Sequence, residues 1–266
     1  ASYGFLSPNA VQLMTEVERR AFADRAEFMG DADFYKVPVD KLTNENYLRE
    51  RMKDYQQGVA GNSVQIKPGN IPKESEQTTH LCVIDAEGNA VSVTTTLNNS
   101  YGSKTVIGGA GFFLNDEMDD FSAKPGVPNI YGAVGGDANA IAPGKRMLSS
   151  MAPTIVLQNG KPFLVVGTPG GTTIPTSVFQ TIIDIIEFNM TTEDAVYKPK
   201  FHHQWLPDQV DIEKTFPQQT REALIKMGYK LVERGSIGRT EAIRVLSNGK
   251  FEAVADNRGE DAAEGW

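Results

Sequence analysis

The sequence predicts a mixed α+β fold, and three observations carry that expectation. Apolar residues recur at helical spacing near the start of the chain and again in its second half. Short alternating runs, rich in Val, Ile and Thr, follow residue 78. The turn sequences Asn159-Gly160 and Ser247-Asn248-Gly249 each join two such runs. Helices and strands come in successive blocks, which is the order of an α+β domain.

The first helix is expected over 8–29, from Val11, Leu13, Met14, Val17, Ala21 and Phe22 with charges between them; Gly30-Asp31-Ala32-Asp33 ends it. A second runs from Thr43 to Tyr55, capped by Thr43 or Asn44. Residues 58–77 are polar and rich in Gly, Pro and Asn, and read as an exposed, flexible linker. Strands are expected at 79–85, 90–97, 153–158, 162–167, 210–213, 241–246 and 251–255. Helices are expected at 174–188, 192–197 and 217–227. The first of these has Phe179, Ile182, Ile183 and Ile186 on its apolar face, and Gly228 caps the last. No internal repeat is visible.

The chain has 266 residues, enough for one large domain or two small ones with a real core. Hydrophobic content of 40% and charged content of 23% are ordinary for a globular protein. A formal net charge of −8, with no basic run or stripe, argues against a nucleic-acid partner. No apolar run approaches the ~20 residues of a membrane span. The start, Ala1-Ser2-Tyr3-Gly4-Phe5, lacks the basic lead and apolar core of a signal peptide, and no methionine opens it, so a fragment or a processed chain is expected. Cys82 is the single cysteine. It excludes an internal disulfide, and its alternating strand context favours a structural thiol. Redox reasoning does not decide the compartment.

Several segments have residue types suited to chemistry. Gln77-Thr78-Thr79-His80 opens the first strand. A threonine hydroxyl becomes a useful nucleophile beside a base, and cutting the Gln77–Thr78 bond would give Thr78 its own α-amine as that base. Read locally, the same threonines are packing or ladder residues. Gly170-Gly171 stands between a strand and a helix start. It reads first as a tight turn, and second as a place where backbone N–H groups meet an oxyanion. Ser149-Ser150 reads as a turn or cap, or as a carboxylate binder. Asn115 to Asp120 holds four carboxylates in five positions: a solvated acidic turn, or a site for an amine or a hard cation. The Gly- and Pro-rich stretch 122–144 is long enough to be a lid or binding loop, or else a connector. His80, His202 and His203 lack a metal-ligand spacing and read as structural; GxSxG is absent.

Taken together, QTTH, the strand ending Thr96-Leu97-Asn98, NDEMDDFSAKPGVPN, YGAVGGDANA, KRMLSSMAPT, GTPGG and KFHHQWLPD occur in one order. The chain closely resembles the γ-glutamyltransferase (γ-glutamyl transpeptidase) family of N-terminal-nucleophile hydrolases, over nearly its whole length and most densely from Thr78 to Leu206. The resemblance implies an αββα sandwich, with part of the full fold in this chain. It also implies autocatalytic cleavage before Thr78 of an inactive precursor. Residues 1–77, helical and then linker, would be the tail of a large subunit, and 78–266 the small subunit.

The activity implied is hydrolysis of γ-glutamyl amides such as glutathione, and transfer to amino-acid or peptide acceptors, through a γ-glutamyl-threonine ester with no cofactor or metal. Carried over by position, Thr78 is the nucleophile and Thr96 the threonine that steadies it. Asn98, Glu117 and Asp120 hold the substrate's α-amino end, and Ser149 and Ser150 its α-carboxylate. Gly170 and Gly171 form the oxyanion hole. Tyr131 sits in a lid over 125–136. The resemblance also implies a periplasmic or secreted location and a partner, the remaining large-subunit portion, which would bring an arginine for the α-carboxylate. Little transferase activity is therefore expected of this polypeptide alone. Two departures bear on pocket shape: Met147 stands where relatives commonly have proline, and Thr172-Thr173 replace the more usual Ser-Arg. Two other readings stay open, a cephalosporin or glutaryl acylase on the same scaffold and a noncatalytic fragment. An amine-binding set of Asn98, Glu117 and Asp120 weighs against the acylase, since a glutaryl group has no α-amine.

Overall fold

The computed structural model describes residues 3–66, 78–130 and 132–265. In chain order its elements are helices α1 (Pro8–Phe28), α2 (Val39–Leu42) and α3 (Glu45–Arg51), then strands β1 (Thr79–Ile84), β2 (Ala90–Thr95), β3 (Thr154–Gln158) and β4 (Lys161–Gly167). There follow α4 (Thr173–Ile186), α5 (Thr192–Tyr197), β5 (Phe201–His202), β6 (Val210–Glu213), α6 (Gln218–Met227), β7 (Leu231–Arg234), β8 (Glu241–Val245) and β9 (Phe251–Val254).

Local chemistry accounts for most boundaries. Ser7 caps α1 by accepting the Ala10 N–H at 3.3 Å, with Pro8 in the first turn where its missing N–H costs nothing. The β3–β4 hairpin closes on Asn159 and Gly160, whose φ values of 53° and 76° are those of a two-residue turn matching strand twist. Gly228, at φ 102°, caps α6 in the left-handed region.

Three sheets form. The largest is antiparallel, in order β3-β4-β8-β9; β1 and β2 make a hairpin; β5-β6-β7 make a small mixed sheet. Helices α4 and α5 cover one face of the four-stranded sheet through Leu164, Val166, Val178, Ile185, Val196 and Ala242. Its other face packs against the hairpin. Helix, sheet and hairpin are thus three consecutive layers of the expected sandwich. A second core joins α1 to the small sheet and α6 through Val11, Met14, Phe201, Val210, Ile212 and Leu224. Residues 3–66 and 78–265 therefore share a core.

Three expectations are corrected. The helix expected over Thr43–Tyr55 is shorter. Asn44 does cap it, but the chain leaves the helix so that the Gln56 and Val59 carbonyls can accept from the buried Gln12 amide, each at 2.9 Å. The linker expected from residue 58 is anchored as far as Ile66. Trp205 Nε1 donates to the Ser63 and Ile66 carbonyls at 3.0 and 2.5 Å, and Ser63 is held by Arg19 and Asp208. Residues 67–77 lie outside the described residues. Finally, α1 is not simply amphipathic: Val17 is exposed while Glu16, Glu18, Arg19 and Arg20 are buried. Their burial is tolerated because they are paired. Glu16 takes Arg20, the Tyr229 hydroxyl at 2.6 Å and the Gly61 N–H at 3.0 Å; Glu18 takes Gln180 and the His203 N–H.

Candidate active site

Register places the two threonines. Thr79 pairs with Thr95 across the β1–β2 hairpin. One step further toward the open end, Thr78 Oγ1 donates to Thr96 Oγ1 at 3.4 Å. Thr96 Oγ1 also accepts the Asn98 N–H at 2.9 Å. Asn98 is buried at φ 75°, a left-handed conformation that asparagine tolerates, and its amide donates to the Asp116 carbonyl at 3.3 Å. The Asp116 carboxylate pins the loop, accepting from the Asn99 N–H and amide at 3.0 and 2.6 Å.

A single helical turn, 117–120, then presents Glu117 and Asp120. Burial raises the Glu117 carboxyl above its ordinary value, assisted by Asp116. Burial pushes Asp120 up to about 7, opposed by Arg25 and reinforced by Glu117, Asp119 and Asp116. Asp120 Oδ1 accepts from the Asn129 amide at 3.2 Å, and Asp119 from the Ile130 N–H at 2.8 Å. The expected lid over 125–136 is a tight, hydrogen-bonded turn: Asn129 N–H donates to the Ala133 carbonyl, and Pro128 bridges Val134. Tyr131 and Gln77, both expected at the site, fall outside the described residues.

Asn139 joins the acidic end to the serines. Its amide donates to the Asp120 carbonyl at 2.8 Å, and its Oδ1 accepts the Leu148 N–H at 3.0 Å. Ser149 Oγ accepts the Met151 N–H at 3.0 Å, and Ser150 Oγ accepts from Arg25 Nη2 at 3.0 Å. A small cleft beside Asp120 is lined by Arg25, Asp120, Ser122, Asn129, Asn139 and Leu148.

Gly170 and Gly171 follow β4, at φ 140° and 55°, and lead into the start of α4. A Cβ at Gly170 would crowd Thr173 Oγ1 and Gly238, so the turn needs glycine twice over. His80 ties this region to β1, the strand that follows Thr78. Its ring meets Thr94 Oγ1 at 2.8 Å and Cys82 Sγ at 3.1 Å, and lies so close to Gly167 that a Cβ there would overlap it. Burial lowers His80 to about 4 and pushes the Cys82 thiol up to about 12, so neither serves as base or thiolate near neutral pH. His202 and His203 are buried and held near 3 and 4 by desolvation, against Thr176, Gln204 and Asp208. Among the described residues, no group of three or more His, Cys, Asp or Glu could hold a metal ion.

The site thus has a hydroxyl pair, an acidic end, a hydroxyl-rich end and a glycine turn at a helix start. That set suits acyl transfer from a donor with both charges. Four residues here have no individual role legible in the sequence: Arg25 is one charge among several in the first helix, Asp116 lies in the acidic run, and Asn129 and Asn139 lie in the motifs NDEMDDFSAKPGVPN and YGAVGGDANA without marking of their own.

A sheet packed on a hairpin that opens on this hydroxyl pair is the architecture of the N-terminal-nucleophile hydrolases. Within that class the chain belongs to the γ-glutamyltranspeptidase family, whose family model matches residues 1–266. It is 48% identical over 260 residues to a glutathione hydrolase proenzyme of Escherichia coli, a match covering 97% of this chain and 45% of that relative. An acylase ACY 1 proenzyme of a Pseudomonas strain is 34% identical over 264 residues, covering 96% and 43%. A solved Helicobacter pylori γ-glutamyltranspeptidase matches with TM-score 0.66 and 56% identity, over 68% of this chain and 100% of that one. A cephalosporin acylase from Bacillus halodurans, at 23% identity and TM-score 0.80, shares the fold over 99% of this chain and 47% of its own. The chain spans about half the length of the curated relatives it matches.

Proposed function

We propose that the whole protein cuts itself between Gln77 and Thr78, then hydrolyses γ-glutamyl amides such as glutathione and transfers the γ-glutamyl group to amino acids or peptides. The observation that carries this reading is the Thr78–Thr96 hydroxyl pair, set by strand register and joined by hydrogen bonds to a carboxylate-bearing loop. Family membership supports it.

The cut frees the Thr78 α-amine, which takes the proton from Thr78 Oγ1 as that oxygen attacks the donor's γ-carbonyl carbon. Thr96 holds the attacking oxygen in place. The N–H groups of Gly170 and Gly171 receive the negative charge that develops on the carbonyl oxygen. The C–N bond breaks, and the proton on the Thr78 amine passes to the leaving amine. A γ-glutamyl ester remains on Thr78. Water or an acceptor amine then attacks the ester, and Thr78 recovers its hydroxyl proton. Asn98, Glu117 and Asp120 hold the donor's α-ammonium, Ser149 and Ser150 its α-carboxylate, and the turn over 125–136, with Tyr131, closes the pocket.

In this reading residues 1–77 and 78–266 become separate subunits. The solved Helicobacter pylori chain, matched end to end over 68% of this one, supports that division, since residues 78–266 make up a similar share. The upstream half of the protein completes the large subunit and the donor pocket. An exported location, periplasmic or secreted, follows from the resemblance, and cell fractionation tests it. A related acylase is the second reading, favoured by the 34% identical acylase relative. The acidic end at Asp120 favours a donor with an α-amine, so faster release from a glutaryl than from a γ-glutamyl anilide would decide for the acylase.

The test is the intact mass of the full-length precursor, followed by release of a chromogenic amine from a γ-glutamyl anilide. Two species meeting at the Gln77–Thr78 bond are expected, with activity. Thr78→Ala is expected to stay whole and to lose roughly a thousandfold or more in turnover. A Thr78→Ala protein that still cuts itself would refute the assignment.

A further inference from the structure

We propose that Arg25, on the helix upstream of the cut, is a positioning residue that sets both charged ends of the donor pocket. The proposal rests on the γ-glutamyl reading above. Its first support is geometric. Arg25 Nη2 donates to Ser150 Oγ at 3.0 Å. A hydroxyl that accepts a guanidinium N–H has its own proton directed elsewhere, and the neighbouring charge polarises it. Ser150 is thereby made a stronger donor toward a carboxylate.

The second support is electrostatic. Arg25 lines the same cleft as Asp120. Asp120 faces Arg25 from α1, and Glu117, Asp119 and Asp116 from its own loop; of these four only Arg25 favours its ionised form. Asp120 must be ionised to hold an ammonium. One guanidinium therefore serves the hydroxyl that meets the donor's carboxylate and the carboxylate that meets its amine.

The surroundings fix Arg25 in that place. Its guanidinium carbon lies 6.0 Å from the centre of the Phe22 ring, three residues earlier on the helix. The helix end is held against the base of the lid, where Gly136 N–H donates to the Ala26 carbonyl at 2.8 Å. Gly30 passes so close to the Ala138 carbonyl that a side chain there would overlap it. Ser122 Oγ lines the cleft too, buried and without a hydrogen-bond partner among the described residues.

The experiment uses the full-length precursor carrying Arg25→Gln, Arg25→Lys, Ser150→Ala, or Arg25→Gln with Ser150→Ala. Cleavage at Gln77–Thr78, read by intact mass, reports folding. KM, kcat and the pH profile are measured on a γ-glutamyl anilide. Arg25→Gln is expected to raise KM about tenfold or more, the worth of a hydrogen bond to a charged group, with a smaller change in kcat. Losing the cation raises the Asp120 pKa further, so the acid limb of kcat/KM moves to higher pH. Arg25→Lys keeps the charge without the fork; it holds the acid limb in place while KM stays raised. The cost of the double variant is expected to fall short of the product of the two single costs, because Arg25 reaches the donor's carboxylate through Ser150.

An unmoved KM and acid limb in Arg25→Gln, or costs that multiply in the double variant, would overturn the proposal. If Arg25→Gln is not cleaved, a wild-type KM in Arg25→Lys overturns it instead. Wild-type protein that cuts itself but releases no amine would overturn the γ-glutamyl reading, and this inference with it.

Discussion

At the residue scale, chemistry that depends on types close in sequence was legible, and chemistry assembled from distant segments was not. Thr78, Gly170 and the acidic run are visible as residue types in the chain. Asp116 is one carboxylate among four until Asn99 is seen to donate to it twice. Glu241 is another residue whose state only its surroundings decide. Burial pushes its carboxyl up to about 8, reinforced by Asp261 and Asp256 and opposed by Arg239, and its Oε2 has no hydrogen-bond partner among the described residues. Because the folded value lies above the ordinary 4.5, the stability its neutral form contributes is complete below about 4.5 and is lost as pH rises through about 8. Glu241→Gln should therefore raise Tm by about a few degrees at pH 8 and bring no gain at pH 5. Thermal melts of the two proteins at both values check this, and an equal gain at both would trace the effect to packing.

At the element scale, the strands that form hairpins were readable from their turns, whereas β5 and β7 were not. β7 is four residues paired in parallel with β6, and β5 is two residues paired with the same strand. Neither has a turn or a period long enough to mark it, and both exist because α1 and α6 cover that sheet. The contact between the hairpin and the four-stranded sheet is also unusual in kind. His80, Cys82, Ser92 and Thr94 face inward, and His80 presses on Gly167, three residues before Gly170. That contact sets the spacing between β1, which follows Thr78, and β4, which leads into the glycine turn. Gly167→Ala should push the two apart and lower kcat by about tenfold or more, since small misplacements of reacting groups are costly. Steady-state kinetics on the γ-glutamyl anilide check it; a wild-type kcat would show that the strands can yield without consequence.

For the whole molecule, the outer face of the hairpin is the informative surface. Leu81, Val83, Val91 and Val93 are 43–56% exposed, side by side on alternate positions of β1 and β2. Such an apolar sheet face suits a contact with another segment, and the curated relatives are about twice as long as this chain. The upstream half of the protein is the proposed cover. Residues 1–266 prepared alone should bind a hydrophobic dye strongly, and the full-length precursor weakly. Leu81→Thr with Val93→Thr should reduce dye binding by the short form. Equal dye binding by the short and full-length proteins would place the cover elsewhere.

The sequence by itself determined the family, the α+β class and the positions of most hairpins and helices, because these rest on local periods, turn residues and ordered motifs. The tertiary structure alone decided which charges of α1 are buried, since that depends on partners from Gly61 to Tyr229. It alone tied the Asp120 loop to the segment at Leu148 through Asn139, and it alone brought Arg25 to Ser150. Charged side chains buried far from water need partners, and no spacing along the chain says which distant residues will supply them.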